Sequence, residues 1–451
     1  MNSEINNNNN MNHVKINNGF PNIDFITSTV QKNLTDQKLN VASIKPLYIK
    51  YKPKTSCVIA YKAEISDDDS SNNTELLLYA KVFSKHEFQN GIDKASPHRW
   101  IKLEMTPSYV IIPDANIILY FFPNDCVIDG LRILSDKKKI QRDLYEYYQR
   151  YNPGEWRISD KKLNITVVRY KPERRVVIQC NSKAVNKKTN IKEPLEIYFR
   201  IYSDNLGEYV FSVQSDVYKQ LQENKILSTP MPIGYNRERK IMYLEKVPGD
   251  VLSSLLLSEV SHEAVIKKAA HALSELHKLE TSTLNNLNPE NLFSEIDAMA
   301  SYLSNILPES ANLIHSILSK LKDHNEFSNY EELCFLHGDC HPGQFIIDEN
   351  IVSLIDFDRA IAGNRLIDIS NFIATQKYSQ LIGEIENSEN YENYFKESYI
   401  DYSEVKINDN ELNHWISYNL FKLAVKPFRE FRDNWQEIST RIMKECLKLL
   451  T

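Results

Sequence analysis

The chain has 451 residues, 42% hydrophobic and 25% charged, with a formal net charge of −6. That is the composition of a globular protein with length for two to three domains. It excludes the basic footprint of a nucleic-acid binder, and with no run of about 18 apolar residues no membrane span is expected. The opening "MNSEINNNNNMN" has neither the basic nor the apolar region of a signal peptide and is expected as a disordered, asparagine-rich tail over 1–20. The cysteines at 57, 126, 180, 334, 340 and 446 lack disulfide-framework spacing, which points to reduced thiols and a cytoplasmic location.

From residue 51 the chain repeats itself. "YKPKTSCVI" begins at Tyr51 and "YKPERRVVI" at Tyr170, an offset of 119, and "YAKVFS" from Tyr79 returns as "YFRIYS" from Tyr198 at the same offset. "ILYFFPND" near 118 and "IMYLEKVPGD" near 241 make a third pair at a slightly larger offset. Three matches in order predict a duplicated unit. In each copy, runs of Val, Ile, Tyr and Thr predict antiparallel strands. Lys-Pro turns or the polar stretches "SDDDSSNN" (66–73) and "KKTNIKEP" (187–194) separate them as loops. A helix follows each central strand; in the second copy Val210, Val213, Val217 and Leu221 recur at three to four residues. From 251 the pattern turns helical, first in "VLSSLLLSEVSHEAVIKKAAHALSELHKL" and again at 293–322 and 410–450. Between these, "FIID" (345–348) and "VSLIDF" (352–357) predict a small hairpin turning at Asp348-Glu349-Asn350.

The chemistry concentrates in "FLHGDCHPGQFIID" (335–348) and "DFDRA" (356–360). Cys334, His337, Cys340 and His341 suggest a zinc cage, but all four lie within eight residues, whereas a structural cage takes two pairs separated by a loop. A nucleophilic triad is no better supported, since no G-x-S-x-G elbow accompanies Cys340. Phosphoryl transfer accounts for more residues. It needs a carboxylate to orient the accepting hydroxyl and hard oxygen ligands for Mg2+. Asp339 can serve the first purpose, and the Gln344 amide oxygen and Asp356 the second.

"HGDCHPGQF" followed by "LIDFDRA" resembles the aminoglycoside phosphotransferase and choline kinase family of the protein-kinase-like superfamily. On that resemblance Asp339 is the catalytic base and Asp356 the metal aspartate of the kinase D-F-G triplet. Gln344 stands where asparagine is usual, as in maltokinase-like branches. Asp358 is either a second metal ligand or a surface partner of Arg359. "GNRLIDISNF" is similar to the family segment whose aspartate, here Asp368, braces the catalytic loop, and His337 holds that loop through the backbone. "YLEKVPGDVL" resembles the hinge, which implies adenine against Glu245–Val247. "LAVKPFREFRDNW" is similar to bacterial members. The resemblance covers roughly 160–451.

The family's strand lysine is matched by Arg200, and its glycine-rich loop by "KPERR", where Arg174 or Arg175 would reach the phosphates. The other reading of these arginines is a solvated strand end. Lys81 holds the matching place in the first copy and is expected to be a surface or structural residue rather than a catalytic one. His341 is expected to be structural as well, and His271 and His277 to be packing or surface residues.

The implied fold is α+β. It is a bilobal protein-kinase-like fold, with an antiparallel-sheet N-lobe over 151–247 and a mostly helical C-lobe over 248–451. An N-lobe-like duplicate over 21–150 precedes it and is expected to cap or flank the true lobe or to shape acceptor binding. The C-lobe holds the catalytic loop, with an acceptor pocket between helices of about 255–330 and 375–435. The implied activity is an ATP- and Mg2+-dependent phosphotransferase acting on a hydroxyl of a small molecule, with no nucleic acid or membrane partner. The alternatives are a pseudokinase or nucleotide-binding module without turnover, or a nucleotidyl transferase on the same fold.

Overall fold

The computed structural model describes residues 16–17, 20–52, 56–67, 70–95, 100–152, 154–159, 163–323, 333–349 and 351–451. Residues 1–15, most of the expected tail, lie outside the described residues. The architecture is α+β with antiparallel sheets, as expected. Two compact units divide it. One holds the described residues up to Asp204 together with Asn236–Ile241 and Arg429–Phe431; the other holds Asn205–Tyr235, Met242–Phe428 and Arg432–Thr451.

In the first unit a short pair, β1 (Ile16–Asn17) and β2 (Phe20–Pro21), leads into α1 (Ile23–Lys32), capped by the Asn22 side chain. A sheet of order β3-β4-β5-β7-β6 follows. It is built from β3 (Leu39–Lys52), β4 (Ser56–Asp67), β5 (Ser70–Phe83), β6 (Tyr109–Ile112) and β7 (Ile117–Phe121), with α2 (Phe88–Ala95) after β5. All five residues of β7 are buried, as a strand covered on both faces requires. The stretch at 66–73, expected as a loop, is largely strand: β4 runs to Asp67 and β5 begins at Ser70, while residues 68–69 lie outside the described residues. Backbone groups continue a hairpin ladder whatever side chains they carry, so polarity alone did not end it.

The second copy begins after α3 (Lys137–Tyr151). It pairs β8 (Trp156–Ile158) and β9 (Asn164–Lys171) with β10 (Arg175–Asn186), and β10 with β11 (Lys192–Tyr202). The registers of the copies coincide. Tyr51 faces Cys57 and Val58 faces Lys81 in the first; Tyr170 faces Val176 and Val177 faces Arg200 in the second. Each residue is displaced by the same 119 positions, which supports the duplication.

Asp125 joins the two copies. Its carboxylate accepts from the Val127 and Ile128 amides at 2.8 and 3.1 Å, from the Tyr170 hydroxyl at 2.7 Å and from the Glu173 amide at 2.9 Å. Tyr79 stacks on Tyr120 (4.8 Å) and meets Tyr170 edge-on beside it.

The second unit opens with α4 (Leu206–Gln220), burying Val210, Val213 and Val217 on one face. Short strands follow: β12 (Leu227–Ser228), β13 (Pro232–Asn236), β14 (Ile241–Glu245) and β15 (Asp250–Val251). The helix expected to run through 251–279 is broken. α5 (Leu252–Leu255) stops, and α6 (His262–Leu276) restarts where the Ser261 hydroxyl accepts from the Ala264 amide. α7 (Pro289–Ile306) and α8 (Ala311–Asp323) come next.

Then the chain weaves two strand pairs. β16 (Cys334–Leu336) pairs with β19 (Ile361–Gly363), while β17 (Phe345–Asp348) pairs with β18 (Ile351–Leu354) inside a sheet of order β12-β18-β17-β15. The hairpin expected at 345–357 is present.

α9 (Leu366–Leu381), α10 (Ser388–Ser403), α11 (Asp409–Leu423), α12 (Lys426–Arg429) and α13 (Trp435–Leu449) complete the unit. α9 is buried nearly all round, which marks it as the core helix. Phe372 stacks on Phe395 of α10 at 3.7 Å, and the buried Asn419 of α11 donates to the Ser370 hydroxyl at 2.9 Å. Among the described residues no helix is long and apolar enough to cross a membrane.

Candidate active site

The strand pairings fix where the motif residues go. Leu336 faces Ile361 and Phe345 faces Leu354, so the loop 337–344 and the turn 355–360 are anchored to each other at both ends. Asp339 lies in the first and Asp356 in the second, and each carboxylate feels the other's charge.

The loop is held by its backbone. Buried Asp368, in the first turn of α9, accepts from the His337 amide at 2.6 Å through one oxygen and from the Gly338 amide at 2.9 Å through the other. Gly338 sits at φ +75°, and a Cβ there would stand 2.0 Å from the Arg359 carbonyl oxygen, so only glycine fits. His337 is fully buried. Its Nε2 donates to the Ile355 carbonyl at 2.8 Å and its Nδ1 accepts from the Asp339 amide at 3.3 Å, tying loop to turn. Behind Asp368 stands His277, whose Nε2 is 3.3 Å from that carboxylate and whose Nδ1 is 2.7 Å from the Tyr399 hydroxyl. Burial, against the pull of Asp368, lowers the His277 pKa. A neutral ring then donates to Asp368 and accepts from Tyr399. The expectation that His277 merely packs or lies at the surface is corrected: it is buried and bonds to the carboxylate that clamps the loop.

Asp339 itself is half-buried. Burial raises its pKa, but the nearby His341, Arg359 and His337 outweigh that and hold it below the usual aspartate range. His341 is pushed down to about 4 by burial and is uncharged near neutral pH, which leaves Arg359 as the standing cation. Arg359 belongs to a further cluster. Glu295 of α7 takes Lys422 of α11 at 3.2 Å, Arg359 at 3.6 Å and the Tyr418 hydroxyl. Lys422 in turn feels the charge of Asp339.

Asp356 adopts φ 72°, ψ 58°, a left-handed conformation that aspartate tolerates better than most residues but that is still uncommon. Such backbone concentrates at functional positions. Asp358 follows in the same turn, half-buried. Gln344 is buried and lies against His341, its amide 3.2 Å from Nε2. Nδ1 of His341 accepts from the Gly343 amide at 3.0 Å. It is the Gln344 amide nitrogen that stands at this distance, so a neutral imidazole protonated on Nε2 pairs with Gln344 only if the amide is turned to present its oxygen; as placed, that oxygen points elsewhere. Two carboxylates and an amide oxygen are a donor set that fits Mg2+, which takes few protein ligands. Cys334 and Cys340 are buried thiols, and burial raises the Cys340 pKa well above its usual value.

The remaining expected site residues belong to other elements. Glu245 is exposed and Val247 half-buried after β14, with the Glu245 amide donating to the Met231 carbonyl at 3.1 Å. Arg174, Arg175 and Arg200 belong to the first unit. Arg200 is 6% exposed, so it is not a solvated strand end; Arg174 is exposed and Arg175 half-buried. Lys81 is ion-paired with Glu173 at 2.7 Å and lies 5.1 Å from the Phe83 ring centre.

Residues 214–406 match the APH model, the phosphotransferase enzyme family. The resemblance drawn from the two motifs is borne out over that segment, which matches a phosphotransferase family. No curated protein matches. Among solved structures, the chain is similar to a choline/ethanolamine kinase family protein from Mesorhizobium loti at 12% identity and TM-score 0.43, over 63% of this chain and 87% of that one. It is also similar to choline kinase from Cryptosporidium parvum Iowa II (15%, 0.44, over 68% and 95%). A third is the ADP-bound aminoglycoside phosphotransferase APH(2'')-Ib (14%, 0.41, over 68% and 96%).

Proposed function

We propose that the protein transfers the γ-phosphate of ATP to a hydroxyl of a small molecule in a Mg2+-dependent reaction. The observation that carries this is the loop clamped by Asp368, which presents Asp339 beside the left-handed Asp356 turn. Asp339 orients the acceptor hydroxyl and takes its proton as the oxygen bonds to phosphorus and ADP departs. Its lowered pKa keeps it ionised for that task. Gln344, Asp356 and Asp358 are the residues that would hold Mg2+, which neutralises phosphate charge when bound. His341 fixes the Gln344 amide. Arg200, Arg174 and Arg175 are assigned to the phosphates, and Glu245–Val247 to the adenine.

Nucleotide binding without turnover is the second reading. It draws on Gln344, which stands where asparagine is usual and whose amide already contacts His341. A thermal shift with ATP, with and without Mg2+, and ADP release with a panel of hydroxyl acceptors separate the two. Stabilisation by ATP with acceptor-dependent ADP release supports transfer, stabilisation alone supports the second reading, and neither response sinks both.

A further inference from the structure

Beside the turn 341–343 lies a cavity of about 370 Å³, walled by α5, α9, the segment after α9 and Lys426. Ser253, Ser254 and Ser379 line it, as does Gln376. Gln376 is only 2% exposed overall and lines the cavity. An amide at a cavity wall can both donate to and accept from a ligand.

The two features that would receive a cation are already taken. Glu384, the carboxylate in the lining, is ion-paired with Arg432 at 2.6 Å. The adjacent Tyr378 ring carries the Lys426 ammonium 4.3 Å from its centre. Other carboxylates, Glu263 and Glu386, line a wider cavity of about 660 Å³ that shares Leu256, Leu257, Glu384 and Ile385 with the first but none of the 341–343 turn.

We propose that the inner cavity takes the reacting end of an uncharged, polyhydroxylated acceptor, a sugar or polyol, and disfavours acceptors whose ammonium lies a few bonds from the reacting hydroxyl. This rests on the phosphotransferase reading above. Hydroxyls and an amide each donate and accept, which suits neighbouring C–OH groups. Within the lining a buried ammonium would meet Lys426, while Glu384, the carboxylate there, is already paired with Arg432. In the transfer the acceptor O–H bond breaks, its oxygen bonds the γ-phosphorus, and the electron pair of the broken P–O bond leaves with ADP. The proton goes to Asp339.

The test measures ADP release with glucose, maltose, mannitol and myo-inositol against choline, ethanolamine and kanamycin, alongside an ATP thermal shift on the same protein. At least one neutral acceptor is expected to raise ADP release tenfold or more. Gln376→Met should then raise the KM for that acceptor by a larger factor than it lowers kcat, with the ATP shift retained. Ser379→Ala, at a half-buried position, should act in the same direction if Gln376→Met fails to fold. A response confined to the amines overturns the proposal and leaves the phosphotransferase reading standing. Silence from the neutral set while ATP still stabilises the protein also overturns it. No ATP shift and no ADP release with any acceptor overturns the underlying reading, and the proposal with it.

Discussion

The loop around Asp339 and the hairpin around Lys81 hold a charge inside the protein in opposite ways. In the loop, Asp368 grips backbone amides and leaves the Asp339 head group half-buried among Arg359, His337 and His341. In the hairpin, the Lys81 head group is itself closed by Glu173 at 2.7 Å. On the proposed reading, the charge offered to a ligand is held through its backbone and the other through its own side chain.

The sharpest way to break that contrast is Asp339→Asn. Turnover should fall by about 10²–10⁴-fold, while the melting temperature stays within a few degrees. Steady-state ADP release and a thermal melt check both, and unchanged turnover removes Asp339 from the chemistry. Asp368→Ala should do the reverse and act on the fold first. It leaves the His337 and Gly338 amides and the His277 ring without their acceptor, for a loss of about 3–5 kcal/mol in urea unfolding.

Acidification probes the loop without mutation. His341 titrates at 6.5 when unfolded and at about 4 when folded, because burial disfavours its charged form. Between those values the unfolded chain binds more protons, so stability rises with pH. The contribution is complete above 6.5 and is lost as pH falls through about 4, with a size of about 3 kcal/mol. His277 acts in the same direction. His341→Gln should flatten this slope in melts recorded from pH 4 to 7; an unaltered slope assigns it elsewhere.

The smallest effects separate the two copies. Lys81→Met should cost about 1–3 kcal/mol by stranding Glu173, with turnover within twofold. Its cycle with Glu173→Gln should show a coupling of about 0.5–3 kcal/mol. Arg200→Met, at the matching register, should instead lower turnover at least tenfold. Equal behaviour of the two variants would erase the distinction between the copies.

What could be read from the sequence depended on how far apart the partners lie along the chain. Asp339, Gln344 and Asp356 fall within two neighbouring motifs, and the hairpin that joins them shows as two short apolar runs around a polar turn. The repeat was legible because its registers are kept residue by residue. The His277–Tyr399–Asp368 chain was not, since its members are 91 and 122 residues apart and nothing local marks His277. The Lys81–Glu173 pair, 92 residues apart, was hidden for the same reason. Glu295, Arg359 and Lys422 read as ordinary helix or turn charges until the helices place them together. The break after α5 had a local sign, Ser261 before His262-Glu263, but the apolar periodicity on either side masked it.

Asp125 gives the duplication a consequence for inheritance. A gene that doubles a domain begins with two parts that can be lost independently. Here the first copy holds a carboxylate that the second copy's Tyr170 and Glu173 bond to, and the second copy's turn supplies the counter-ion for Lys81. A chain begun at residue 151 would leave a tyrosine hydroxyl, a backbone amide and an acid without partners. On the reading that the two are copies, deleting the first would strand polar groups of the second.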